Sequence, residues 1–347
     1  MNGRIRPPIG VFAAVTGVTW LLSSAGVVWA QAPAAVRNAD APSAATWVTP
    51  RTPWGDPDIQ GVFTNKYEQG TPFERPAEFE GRRIEDITGE ELAKIVTDRQ
   101  RVSIERAPFA GGDPEGRLGG PLHWGDRFEI TKGSRPWFVI DPPEGKIPPL
   151  TAEAQARQGQ AGRRGSSFGN GPFNGPEDLS LYDRCITRGY PGSMLPAIYG
   201  DSYQIVQAPG YVAIRYEMIH ETRVIPLNGN PHVGQAIRPH MGDARGHWEG
   251  NTLVVETTNL PEPAYRNANA KSLRLIERFT RLSPDRVEWA VTVDDPATWT
   301  RPWTFAMPLT LNEAEPVFEY ACHEGNYAVT HILSGARAQE KEAAEKK

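Results

Sequence analysis

Short apolar runs recur along the second half of the chain, at 203–207, 211–219, 223–227, 252–258, 273–281, 286–293, 303–309 and 317–321. Turn-forming words separate them: Pro209-Gly210, Asn228-Gly229-Asn230, Glu249-Gly250-Asn251 and Ser283-Pro284-Asp285. In the second run Val212, Ile214, Tyr216 and Met218 are apolar, while Arg215 and Glu217 fall between them. Val287, Trp289, Val291 and Val293 repeat the pattern with Glu288 and Thr292 opposite. A period of two residues places one set on a buried face and the other toward water. The spacing predicts an antiparallel meander of roughly eight strands. The fold class predicted is mainly β: a lipocalin-like antiparallel barrel over 181–335, with a two-sheet β-sandwich as the alternative.

The first half is patterned differently. Thr88 precedes Glu91 by three residues, and Leu92, Ile95 and Val96 follow at helical spacing, which predicts one helix fading near Arg106. Trp137-Phe138-Val139-Ile140 reads as a short strand ended by Asp141-Pro142-Pro143. The Thr52-to-Phe63 stretch reads as an ordered arm that docks with its aromatics. Segments 108–120 and 158–175 are rich in Gly, Pro, Arg and Asn and read as long surface loops. The predicted organisation is a signal peptide at 1–30, a flexible linker at 31–47 and an arm, helix and loop region at 48–180. The β domain at 181–335 and a charged tail at 336–347 complete it.

The leader sets the compartment. Arg4 and Arg6 precede an apolar stretch, and Val28-Trp29-Ala30 offers small residues at the positions a signal peptidase reads. Periplasmic or secreted location is therefore expected, with no membrane span after cleavage. The formal net charge of −5 comes with no basic block, which argues against a nucleic-acid surface. The 34 glycines, 32 prolines and 10 tryptophans suit a turn-rich β protein. The oligomeric state is left open.

An exported chain with two cysteines joins them, so a Cys185–Cys322 disulfide is expected. In the chain-entropy model so long a loop stabilises by about 4–5 kcal/mol. The bond would bring Tyr182, Asp183 and Arg184 against His323, Glu324 and Asn326.

Phosphate-binding glycine loops, G-x-S-x-G, H-E-x-x-H and paired C-x-x-C are all missing from the sequence. Candidate catalytic residues are His220, His323, Glu324, His240 and Asp243. His220 follows an apolar strand face, where a histidine is either a hydrogen-bonded core residue or an acid/base facing the lumen. His323 and Glu324 would be fixed by the disulfide. Asp243, on a loop with His240, is either a site group or the partner of Arg245 in a structural ion pair. Substrate-binding candidates are Arg184, Arg223, Tyr182 and Asp183, the arginines facing a carboxylate, phenolate or enolate. His123 is a further candidate, whereas His232 and His331 are discounted. A zinc or iron site drawn from His220, His240 and His323 has no local ligand spacing, so no cofactor is expected.

The words Tyr182-Asp183-Arg184-Cys185, Gly242-Asp243-Ala244-Arg245-Gly246-His247-Trp248-Glu249-Gly250-Asn251-Thr252-Leu253-Val254-Val255-Glu256-Thr257 and Tyr320-Ala321-Cys322-His323-Glu324-Gly325-Asn326 resemble those of a widespread, uncharacterised family of exported bacterial proteins. The resemblance extends over most of the chain after Leu181 and transfers no activity. Two function classes follow from the residues. One is an enzyme acting on a small, partly apolar molecule by cofactor-independent acid/base chemistry, as a lyase, isomerase or hydrolase, with His220 as the acid/base. The other is a lipocalin-like carrier in which the same polar groups only orient a ligand. A structural envelope role has no repeat or low-complexity surface behind it.

Overall fold

The computed structural model describes residues 47–106, 134–160, 173–197, 199–262 and 264–346. The expected signal peptide, most of the linker, the 108–120 loop, most of the 158–175 loop and His123 lie outside the described residues.

Ten strands form one antiparallel sheet. They are β1 Gly61–Thr64, β2 Val139–Asp141, β3 Ser202–Ala208, β4 Tyr211–Tyr216, β5 Thr222–Pro226, β6 Asp243–Glu249, β7 Thr252–Thr258, β8 Arg274–Ser283, β9 Arg286–Asp294 and β10 Trp303–Leu311. The ladder runs β5-β4-β3-β1-β10-β9-β8-β7-β6, and β2 pairs with β10 off this path, on the edge away from β9. Alternation fixes which residues face in. In β9, Val287, Trp289, Val291 and Val293 are buried, and their partners Leu309, Met307, Phe305 and Trp303 on β10 are buried with them. Burying such matched rows on one face pins the register, because a slip by one residue would expose all of them.

The ladder is not a closed barrel, which corrects the lipocalin-like expectation. Consecutive strands β5 and β6 lie at opposite ends of the ladder, and no backbone pairing joins them. Side chains cross the interior instead: Arg223 of β5 donates to Thr257 Oγ1 of β7 at 2.8 Å and to Glu277 Oε2 of β8 at 2.5 Å. At the ends of the ladder Gly246 of β6 lies under Ile225 and Leu227, where a Cβ would come within 2.8 Å of each. The sheet is thus folded over an apolar interior, as in a sandwich, with its two edge strands held by side-chain packing.

The arm contributes more than docking aromatics. Its Gly61–Thr64 segment is the central strand β1, which pairs β3 on one side and β10 on the other. The eighth expected strand, 317–321, is absent, and that segment is irregular. Helix α1, Gly89–Arg106, starts one residue after Thr88 as its pattern requires. Leu92 and Ile95 pack it against Phe79, Ile87 and Trp137, a small apolar cluster beside the main core. Helix α2, Ala152–Gln160, is tied to the connection between β9 and β10 through Arg157, which donates to Thr298 Oγ1 at 2.8 Å. Helix α3, Ala328–Glu345, has no fully buried residue. Among the described residues no helix is long and apolar enough to cross a membrane.

Gly246 offers a direct check of the folded-over arrangement. Gly246→Val would force its side chain into Ile225 and Leu227, and overpacking of this kind costs about 1–3 kcal/mol. Urea denaturation should show that loss, and wild-type stability in the variant would mean that β6 does not sit against β5.

Candidate functional site

Two polar assemblies stand out, one inside the folded sheet and one beside the disulfide. The interior assembly is centred on Glu277, which is 0% exposed, and Arg223, which is 3% exposed. Glu277 accepts from Arg223, from Trp289 Nε1 at 3.1 Å, from Thr257 Oγ1 at 3.3 Å and, in a very short contact, from the Tyr190 hydroxyl. The Arg223 guanidinium also lies 4.0 Å from the centre of the Tyr190 ring. Burial holds the Tyr190 phenol well above its ordinary pKa and pushes Tyr216 up to about 12. All five carboxylate bonds come from four protein side chains, Arg223 giving two of them, so this is a structural clamp between β5 and β8. Both terminal nitrogens of Arg223 are spent on Tyr216, Thr257 and Glu277, with only the buried Nε unpaired among the described residues, so it has no fork free to hold a substrate anion as the sequence reading had it.

The second assembly is built by the bond between Cys185 and Cys322, whose Cα atoms lie 5.7 Å apart. Cys185 sits in a tight run of turns, with its amide donating to Tyr182 O and that of Ile186 to Leu181 O. Its φ of 55° places it in the left-handed region that non-glycine residues rarely enter. Asp183 belongs to the same turn, where Ser180 Oγ donates to its carboxylate at 2.6 Å, and so has a local structural bond. The disulfide brings the Cys322 segment onto this turn, and Asn326 Nδ2 lies 3.0 Å from Cys185 Sγ.

Three tyrosines meet as a consequence. The Tyr182 hydroxyl lies 2.9 Å from that of Tyr199 and 3.1 Å from that of Tyr320. The Tyr199 and Tyr320 rings stack with centroids 5.9 Å apart and planes at 12°. All three side chains are half-buried. Burial first, then the hydrogen bond with Tyr199, raises Tyr182 to about 12; burial also raises Tyr320.

Charged groups line the neighbourhood. Arg188 is near enough for its charge to act on Tyr182, Asp201 and Tyr203, and its Nη1 is buried without a hydrogen-bond partner among the described residues. Asp201 is buried, accepts the Ala197 amide at 3.0 Å and is raised by that burial to about 8. Glu221 accepts from Thr187 Oγ1 at 2.8 Å and Ser193 Oγ at 3.3 Å. Burial raises Glu221 too, against the opposing influence of these hydroxyls and of His240.

The predicted site residues are distributed as follows. Tyr182, Asp183, Arg184, Cys185 and Cys322 share the disulfide region. His323 and Glu324 lie on an exposed turn following Cys322, where sequence spacing had implied a strand. His220 does not continue β4, which ends at Tyr216; it closes a short 3-10 turn in which Ile219 has φ 56°, and its side chain lies outside the described residues. His240 is exposed on the turn before β6, with its charge felt at Glu221. Asp243 is held by Arg245 at 2.6 Å and by Nδ1 of His232, the histidine that sequence reasoning set aside, at 2.8 Å. Among the described residues no group of three or more His, Cys, Asp or Glu side chains is arranged to hold a metal ion.

Tyr199, Arg188, Asp201, Glu221 and Glu277 were missed by the sequence reading. Only the run of turns from Leu181 to Asp201 hinted at the first three. No family model, curated protein or solved structure matches this chain.

Both assemblies have measurable consequences for stability. Arg223→Met should cost about 3–5 kcal/mol, because it strands the Glu277 carboxylate in the core, whereas Arg223→Met with Glu277→Leu should cost clearly less. A double-mutant cycle by chemical denaturation reads this difference, and additive losses would show that the two groups are uncoupled. For Asp201 the folded pKa of about 8 lies above the unfolded value, so the folded state holds a proton that the unfolded chain releases. Its contribution to stability is therefore greatest below about pH 4, declines as pH rises to about 8 by up to ~1.4 kcal/mol per pH unit, and is flat above that. Asp201→Asn should remove this slope from the pH profile of unfolding.

Proposed function

We propose that this protein binds a small molecule outside the cytoplasm, at the half-buried tyrosine cluster held together by the Cys185–Cys322 bond. The observation that carries the reading is the convergence of Tyr182, Tyr199 and Tyr320 near a guanidinium whose Nη1 is buried and unpaired. A buried donor left without an acceptor costs free energy, and a ligand acceptor would offset that cost. Aromatic faces with polar tips add contact area at little loss of side-chain freedom. The extracytoplasmic location rests on the leader at 1–30 and on the disulfide.

A second reading is favoured by Glu221, a carboxyl raised by burial that lies near enough to His240 to feel its charge. A carboxyl raised by burial beside a histidine is a combination suited to proton transfer, and Thr187 and Ser193 would orient it. In that case the bound molecule is turned over.

The test is a small-molecule screen by thermal shift on the oxidised, mature protein, repeated on Tyr199→Ala and Tyr320→Ala. Ligand at about 100 times Kd should stabilise the wild type by ~2.7 kcal/mol, and that gain should vanish in both variants. Ligands that stabilise variants and wild type equally would place binding elsewhere. Conversion of a bound compound, lost in Glu221→Gln, would favour the second reading.

A further inference from the structure

The tyrosine cluster and its charged surroundings restrict the chemistry of what fits there. Arg188 supplies a planar cationic fork, and guanidinium nitrogens recognise carboxylate or phenolate oxygens with directional, charge-assisted bonds. Among the described residues its Nη1 has no acceptor, so that direction of the fork is unsatisfied. The nearest buried carboxyl does not supply the missing charge. Asp201 is engaged by the Ala197 amide, and burial keeps it protonated up to about pH 8, so near neutrality it leaves the guanidinium's charge uncancelled. Glu221 is bonded by Thr187 and Ser193 and is likewise shifted toward its neutral form by burial. The stacked Tyr199 and Tyr320 rings form an aromatic platform close by, with the Tyr182 hydroxyl at its edge. Flat rings stack on such a platform in offset or edge-on contact.

We infer that the ligand is a planar aromatic anion, its ring against the Tyr199–Tyr320 pair and its carboxylate or phenolate oxygen on Arg188 Nη1. This rests on the binding reading above and adds the ligand's class to it. The three acidic side chains nearby, Asp201, Glu217 and Glu221, would instead suit a cation only if they were ionised and free to face it. Glu217 accepts the Ser202 amide at 3.2 Å, and the other two are bonded as described. An aromatic cation is therefore the outcome that would count against the inference.

The experiment uses the oxidised mature protein and four probes: 2-naphthoate, the neutral 2-naphthamide, non-aromatic acetate and phenyltrimethylammonium. Affinities are read by calorimetry at low and high salt. Naphthoate should bind at least about tenfold tighter than naphthamide, weaken with salt and outbind acetate. Arg188→Met should bring naphthoate down to the naphthamide level without weakening naphthamide itself, and Tyr320→Ala should weaken both. Should Arg188→Met not fold, Arg188→Lys keeps the charge without the planar fork and should still lose part of the preference for naphthoate. Equal affinity for naphthoate and naphthamide, or stronger binding of phenyltrimethylammonium, overturns the anionic class; if Tyr320→Ala still abolishes that binding, the site itself stands. Probe binding that neither Arg188→Met nor Tyr320→Ala alters overturns both the class and the site. Failure of all four probes to bind, while the ligand screen gives hits lost in Tyr320→Ala, overturns the class alone.

Discussion

Arg223 and Glu277 lock the two limbs of the sheet to one another across the interior. Arg223 stands on the last strand of one limb and Glu277 on β8 of the other, and the ladder between them passes through β4, β3, β1, β10 and β9. A pair of charges in an apolar interior is stabilised when its remaining polar atoms find partners; here Tyr190, Thr257 and Trp289 complete the shell of the carboxylate, and Arg223 Nε is the one atom of the pair left without a partner among the described residues. Directional bonds of this kind fix how far β5 folds over β7 and β8. Apolar packing between Gly246 and Ile225 then fills the space between the two unpaired edges. The sheet is folded over without a closing ladder because side chains, and not backbone amides, span that seam.

The disulfide does for the periphery what the ion pair does for the interior. Residues after β10 form no strand until α3 begins, so Tyr320 has no ladder to place it. Cys322 and its bond to Cys185 place it instead, and the result is a tyrosine cluster in which Tyr320 meets Tyr182 from 138 positions away. Each network holds a buried guanidinium nitrogen without a partner, Arg223 Nε inside the sheet and Arg188 Nη1 beside the disulfide. Arg223 spends both terminal nitrogens on protein acceptors, whereas Arg188 keeps a terminal one, Nη1, without an acceptor among the described residues. That difference in the guanidinium fork is why the proposed binding site lies at the disulfide and the interior pair is read as structural.

Much of the strand pattern was legible because a half-buried strand imposes a period of two on its residues. Strand β7 occupies the predicted 252–258, and β3, β5, β8, β9 and β10 lie within two residues of their apolar runs. The disulfide was legible because only two cysteines were present. The central strand β1 was hidden because four residues beginning with glycine carry too short a period, and its burial comes from neighbours distant in the chain. His220 was misplaced on a strand face because Met218 and Ile219 continue the apolar run, while the backbone turns at Ile219.

By itself, therefore, the sequence determined the elements whose information is local: the alternating strands, the hairpin turns, α1 and the pairing of the two cysteines. Only the tertiary structure decided whether the sheet closes, since that depends on whether β5 and β6 share hydrogen bonds or side-chain contacts, and periodicity is the same in either case. It alone decided also which polar residues are spent on each other. Arg223 looked like an anion binder until Glu277, fifty-four positions away, was found to occupy it, and Arg188 drew no notice until its buried nitrogen was found without a partner. Charge is written in the chain, but whether a charge is satisfied is a property of its neighbours in space.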